Sequence, residues 1–142
     1  MAMLKKILAP TDFSELSREG VRYACQLAKD VGAQVLVMNV IILDETNTTS
    51  KGEVEAHKQR LSEFVANTAP HHGADLKVRE VVVAGQAYNA IVECAQNEHV
   101  DLVVMSTHGR SGLSRMLIGS VTDRLVRAAK CPVLVVPVHG EK

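Results

Sequence analysis

Short apolar runs and longer amphipathic runs take turns along the 142 residues of this chain. Leu4–Ala9 is the first apolar run, interrupted by Lys5 and Lys6 and stopped by Pro10. Val35–Met38 continues through Val40-Ile41-Ile42; Val78 with Val81–Val83, then Leu102–Met105, then Val133–Val136 complete the set. These runs are β-branched and nearly continuous. A strand with one wet face alternates apolar and polar residues, whereas a strand covered on both faces does not. The pattern therefore predicts strands of a parallel sheet with helices on each side.

Helical periodicity fills the gaps. Ser14 is placed to cap a helix reaching Val31, with Val21, Ala24, Leu27, Ala28 and Val31 on one face and Gly32 as the left-handed stop. Ser50-Lys51-Gly52-Glu53 reads as a capping box, opening a helix that carries Val54, Leu61, Phe64 and Val65 and ends near Pro70 or Gly73. Ala87–Asn97 has Ala90, Ile91, Cys94 and Ala95 on its inner face. Ser120-Val121-Thr122-Asp123 reads as the start of a last helix, with Val121, Leu125, Val126 and Ala129 inside, before Cys131-Pro132 forces the chain extended. The order β-α-β-α-β-α-β-α-β predicts one α/β domain over residues 1–142: a doubly wound, open parallel sheet with right-handed crossovers. The polar segment Leu43–Ser50 is the expected mobile stretch.

Charge narrows the function. Sixteen Lys and Arg balance sixteen Asp and Glu, and no basic block stands out. Binding nucleic acid mainly through its phosphates needs clustered cations, so that class is not expected. Phe13, Phe64, Tyr23 and Tyr88 are scattered in sequence and form no platform for stacking bases. No apolar stretch approaches a membrane span and no signal peptide can be drawn, which predicts a soluble, cytoplasmic protein with no membrane partner. Cys25, Cys94 and Cys131 lie far apart and read as reduced, packed thiols.

Ligands of open α/β sheets sit beyond the carboxyl ends of the strands. After the first strand comes Pro10-Thr11-Asp12-Phe13-Ser14. Asp12 there could hydrogen-bond a ribose or help hold a metal, and alone it reads more simply as a turn residue before a helix. After the fourth strand comes Ser106–Thr122, with three glycines, four serines, two threonines, His108, Arg110 and Arg115, and no acid or lysine. Small residues admit an anion to the backbone amides, and hydroxyls and arginines add donors. That composition reads as a polyphosphate cradle, or else as an ordinary polar surface loop. Neither a Walker A sequence nor a GxGxxG turn is present. His71-His72-Gly73 is read as a helix end rather than a metal site, and the glutamates of the second helix as a solvated face.

Val103-Val-Met-Ser-Thr-His-Gly-Arg-Ser-Gly-Leu, Ile118-Gly-Ser-Val, Cys131-Pro-Val-Leu-Val-Val-Pro and the opening Ile7-Leu-Ala-Pro-Thr-Asp-Phe-Ser14 together resemble the universal stress proteins, from Leu4 to Pro137. The ATP-binding branch of that family carries Gly-x2-Gly-x9-Gly-[Ser/Thr]. Gly109, nine residues, and Gly119-Ser120 match its later part, and Ser106 stands at the first glycine. The resemblance implies a Rossmann-like fold with five strands in the order 3-2-1-4-5 and four helices. It implies ATP as ligand, with Mg²⁺ bound mainly through the phosphates and no metal site made by the protein itself. It places Pro10, Thr11 and Asp12 along the adenosine, and Val40 at the adenine. Met105, Ser106, Thr107, His108 and Gly109 would border the ribose and α-phosphate. Gly109, Gly119, Ser120, Val121 and Thr122 would hold the phosphates, and Arg110 joins them on charge and position. It also implies a homodimer through the last strand, Val133–Val138.

The reading is a nucleotide-binding regulatory module of the stress response, with at most slow hydrolysis and no catalytic residues assigned. No carboxylate in the loop is available to orient an attacking water. The alternative is a nucleotide-free stress protein acting through protein partners. A response-regulator receiver would need an acidic pocket after the first strand, and a flavodoxin its phosphate loop there; neither matches this placement.

Overall fold

The computed structural model describes residues 4–43, 48–69, 76–107 and 115–138, with backbone alone for 115–120. Five strands, β1 (Lys6–Pro10), β2 (Gln34–Ile42), β3 (Lys77–Gly85), β4 (Leu102–Thr107) and β5 (Val133–Pro137), alternate with four helices. The helices are α1 (Glu15–Val31), α2 (Lys51–Thr68), α3 (Ala87–Asn97) and α4 (Arg115–Ala128). All pairings are parallel, in the order β3-β2-β1-β4-β5.

Alternation along each strand splits the core in two. Ile7, Ala9, Val35, Val37, Leu102 and Val104 meet α1 and α2 through Val21, Ala24, Ala28, Leu61, Phe64 and Val65. Leu8, Leu36, Met38 and Val103 face the other way, onto Ile91 of α3 and Leu125 of α4. The unbroken apolar runs are thus the signature of a sheet roofed on both sides. Cys25 is buried, and burial alone pushes its thiol up to about 11, which leaves it protonated and inert.

Capping follows the sequence. The Ser14 hydroxyl accepts the Ser17 N–H at 3.1 Å, and Gly32 closes α1 at φ 77°. The Ser50 hydroxyl accepts the Glu53 N–H at 3.0 Å, and α2 stops at Thr68, ahead of Pro70. Residues 44–47 of the expected mobile stretch and His71-His72-Gly73 lie outside the described residues.

One boundary differs. The last helix begins at Arg115, five residues before the Ser120 expected to open it. Met116-Leu117-Ile118 continues the apolar pattern backward in residues that tolerate helix, and their propensity absorbs Gly119, which costs about 1 kcal/mol relative to alanine. Ser120 is therefore a second-turn residue and no cap.

α1 crosses β4 closely. A Cβ built on the buried Gly20 would run into the Ser106 Oγ. That hydroxyl is enclosed and has no hydrogen-bond partner among the described residues. A buried, unpaired hydroxyl costs about 1–3 kcal/mol. Ser106→Ala should therefore raise stability by about 1 kcal/mol, read in calorimetry as a melting temperature about 3–5 °C higher. An unchanged or lower value would mean that the hydroxyl is satisfied in solution.

At the opposite end of the sheet, Glu98 joins three elements. Its carboxylate takes a fork from Arg79 of β3 at 2.9 and 2.8 Å, and Lys6 of β1 stands at 3.5 Å. The Arg79 hydrogen bonds hold the Glu98 carboxyl down at about 2, against an ordinary 4.5. A carboxylate with a depressed folded value stabilises the fold above its unfolded value and loses that contribution as pH falls through the folded one. The advantage of wild type over Glu98→Gln in melting temperature should be full above pH 4.5 and fade toward pH 2. Salt should shrink it too, because the pair is open to water. An advantage independent of pH would assign the effect to something other than this charge.

Candidate functional site

The strand order reverses between β1 and β4, and there the ladder is short. The β1–β4 ladder pairs Ile7 with Leu102 and Leu8 with Val103 and goes no further. The β1–β2 ladder continues to Pro10 opposite Met38, and β4–β5 to Thr107 opposite Pro137. Proline supplies the reason. In a parallel strand, alternate residues direct their backbone groups to alternate neighbours. The Lys6 carbonyl accepts from Asp101 at the start of β4, while the Thr11 N–H donates to Met38 of β2 at 2.7 Å. Pro10 shares the parity of Lys6, so the N–H it lacks is one that β4 would have received. Beyond Leu8 the β1–β4 ladder ends, at the carboxyl end of the sheet, where the strand-order reversal of an open α/β sheet offers a crevice to ligands.

The turn that follows β1 lines one side. The Thr11 Oγ1 accepts the Phe13 N–H at 2.9 Å and lies 2.7 Å from the Ser17 Oγ. The Asp12 Oδ1 accepts the Ser14 N–H at 3.0 Å. Asp12 is exposed. Partial burial of its carboxyl works to raise its affinity for a proton, but hydrogen bonds from Ser14 and Ser17 outweigh it and hold the carboxyl below its ordinary value. It is therefore anionic at neutral pH. The turn role and the candidate ligand role fall on the same side chain.

Between Asp12 and Ser14, Phe13 adopts φ 71°. A bulky residue in the left-handed region costs about 1–3 kcal/mol and persists only where surroundings hold it. The surroundings come from α2. Phe64 meets the Phe13 ring edge-on at 5.8 Å between centroids, the Arg60 guanidinium lies 4.3 Å from the Phe13 centroid, and the His57 ring stands 6.1 Å away. The two aromatic residues that are distant in sequence thus form a pair. Arg18 of α1 stacks over Phe64 at 4.2 Å and completes the clamp. With Phe13 turned inward, Asp12 is turned outward.

Asn39 lies beneath this turn. It is 4% exposed and its Nδ2 donates to the Thr11 carbonyl at 3.0 Å. His57 Nδ1 stands 2.9 Å from the Asn39 Oδ1. Neither residue was singled out by the sequence pattern. A lone polar residue inside the apolar run 35–42 is the signal that marks Asn39; His57 carries no signal of its own.

The other expected residues are placed as follows. Met105 and Val40 pack half-buried on the α3 and α4 side of the core. The Ser106 side chain turns under α1, away from the α3 and α4 side. Thr107 ends β4, and its carbonyl accepts the Val138 N–H at 2.6 Å. His108, Gly109 and Arg110 lie outside the described residues. Gly119 and Ser120 fall in the second turn of α4, Val121 packs on the core, and Thr122 is buried. The structure thus sets Pro10, Thr11, Asp12, Ser106 and Thr107 at the carboxyl ends of the adjacent strands β1 and β4, with the Ser106 hydroxyl enclosed under α1, and sets the backbone of Gly119–Thr122 inside a helix that begins at Arg115.

Two hollows elsewhere do not compete for this role. One of about 230 Å³ lies between α3 and α4 near the beginning of β4, bordered by Ile91, Val100, Leu125 and Cys131. Another of about 380 Å³ lies between β3 and α3, bordered by Val83, Gln86, Asn89 and Cys94. Neither borders the crevice residues. Among the described residues, no three of His, Cys, Asp and Glu gather where a metal ion could sit. No described helix is long and apolar enough to cross a membrane.

Known proteins share this fold. The family model described as "Universal stress protein family" matches residues 3–137. Universal stress protein MJ0531 of Methanocaldococcus jannaschii is 35% identical over 142 aligned residues, covering 94% of this chain and 82% of that one. The solved structure of the hypothetical protein MJ0577 superposes with a TM-score of 0.72 at 30% identity, covering 98% of this chain and 99% of that one. A universal stress protein solved in complex with cAMP superposes with a TM-score of 0.73 at 26% identity, over 94% and 97% of the two chains. By sequence over nearly its whole length, and by strand order, this chain belongs to the universal stress protein family.

Proposed function

We propose that this protein binds an adenine nucleotide, ATP by preference, in the crevice between β1 and β4, and acts as a regulatory module of the stress response. The observation that carries this reading is the end of the β1–β4 ladder at the point where strand order reverses, with Thr11 and Asp12 following β1 and Thr107 ending β4 on that side of the sheet. The complex of a related structure with cAMP supports the ligand class. Asp12 would take the ribose hydroxyls, Pro10 and Thr11 would lie along the adenosine, and Val40 would meet the base. Met105 to Gly109 would border the sugar and first phosphate, with Arg110 beside the chain of phosphates. Mg²⁺ would accompany ATP and be held chiefly by phosphate oxygens, since Asp12 is the one carboxylate on the turn.

The phosphate contacts attributed to Gly119 through Thr122 carry a condition. With α4 starting at Arg115, their amides already serve the helix. Offering them to phosphate requires the first turn of α4 to open, and Gly119, weaker in a helix than alanine by about 1 kcal/mol, is where it would yield. The same fact, with Ser106 at the first motif glycine, favours the second reading, a nucleotide-free protein that works through partners. Ser106–Thr122 contains no carboxylate to orient an attacking water, which supports hydrolysis that is slow at most.

The test is to denature the purified protein and separate the supernatant by ion-exchange chromatography. Nucleotide near one per chain is expected, and the emptied protein should bind ATP with Mg²⁺ in calorimetry. Gly119→Val should abolish binding and Asp12→Ala should weaken it about tenfold, about 1.4 kcal/mol. No co-purified nucleotide and no binding at millimolar ATP would establish the second reading.

The protein is further proposed to be a cytoplasmic homodimer through Val133–Val138. β3 guards its edge with Lys77, Arg79 and Glu80; β5 is an uncharged edge of Val, Leu and Pro. The Val138 N–H and Pro132 carbonyl face β4, so Val135, of opposite parity, directs its N–H to the open edge. Light scattering should give twice the 15.4 kDa chain mass. Val135→Pro removes an edge donor without touching the β4 ladder and should give folded monomer; a variant that stays dimeric would exclude pairing through β5.

A further inference from the structure

We propose that His57 is a positioning residue of the crevice, setting the place of Asp12 through Asn39, Thr11 and Phe13. The consequence for ligand rests on the nucleotide reading above; the positioning itself does not.

The direction of each hydrogen bond is determined. Thr11 offers Asn39 a carbonyl, which only accepts, so the Asn39 group 3.0 Å from it is the amide nitrogen. The Asn39 oxygen then faces His57 Nδ1 at 2.9 Å, and Nδ1 must carry the hydrogen. Asn39 is buried, so an unmet oxygen there has no water to turn to. His57 is the donor from α2 that lets a polar side chain sit at the end of the row begun by the buried Val35 and Val37.

That side chain grips the turn. β2 holds both backbone groups of Thr11: the N–H through Met38 O at 2.7 Å and the carbonyl through Asn39. The Thr11 hydroxyl in turn holds the Phe13 N–H, and Asp12 stands between them. His57 also faces the Phe13 ring, with Arg60 one turn along α2 on the same ring. One histidine thus acts on the turn twice, through Asn39, which it hydrogen-bonds and which bonds Thr11, and by its own ring contact with Phe13. The position of α2 and the position of the Asp12 carboxylate are mechanically joined.

Two variants separate the two contacts. His57→Asn keeps a donor at the place of Nδ1 and removes the ring; His57→Phe keeps the ring and removes the donor. In the nucleotide-free protein, His57→Phe should speed amide exchange of Phe13 and Ser14 about tenfold, with Val103 of the central sheet unchanged and His57→Asn close to wild type. ATP affinity should fall about tenfold in His57→Phe and be largely kept in His57→Asn. Wild-type exchange at Phe13 and Ser14 in His57→Phe would overturn the proposal, as would equal damage by both variants. Should His57→Phe fail to fold, nitrogen NMR of wild type decides: the Nδ1–H tautomer is expected, and the Nε2–H tautomer would overturn the assignment. Wild-type protein that binds no ATP yet shows the exchange pattern would sink the nucleotide reading and leave His57 in its role.

Discussion

Pro10 has no hydrogen to give toward β4, and the β1–β4 ladder ends there. β1 is the central strand, flanked on both sides, where a missing donor is felt most. The ladder to β2 survives because residues of the other parity serve it, and the Thr11 N–H resumes it. The ladder to β4 does not. The place where a doubly wound sheet must part its helices to opposite faces is thereby also the place where the β1–β4 ladder stops.

What stands beside the opening is held by strain and by its relief. Phe13 in the left-handed region is unfavourable by itself. Its ring reaches Phe64, Arg60 and His57, and the burial and stacking there compensate. The result is a short turn with one outcome: the aromatic group goes in and the carboxylate goes out. Hydrogen bonds from Ser14 and Ser17 keep that carboxylate ionised. α1 and α2 therefore act on the turn, α1 through Ser17 and α2 through Phe64, Arg60 and His57.

The β4 side is less settled in its chemistry. Ser106 fits because Gly20 makes room beneath α1, so a residue in one element is intelligible only with a residue far from it in the other. α4 begins earlier than its hydroxyl-rich start suggested, because helix propensity through Met116–Ile118 and the apolar pattern outweigh the capping preference of Ser120. The two ends of the sheet divide their work. Glu98, Arg79 and Lys6 tie strands and α3 together at the amino end, and the carboxyl end carries the opening.

Fold class, strand count, the caps at Ser14, Gly32 and Ser50, and the turn Pro10–Asp12 are all legible in the chain. Each depends on neighbours in sequence: a period of two or 3.6, a hydroxyl before a helix, a proline after a strand. The family resemblance added strand order, which local pattern does not contain. Tertiary structure alone decided the rest. The parity of Pro10 matters only once β4 lies beside β1. Phe13 and Phe64 become a pair, and Asn39 and His57 a linkage, only when α2 folds back over β2. Those contacts join residues distant in the chain, where side-chain geometry across packed elements carries the information and sequence spacing carries none.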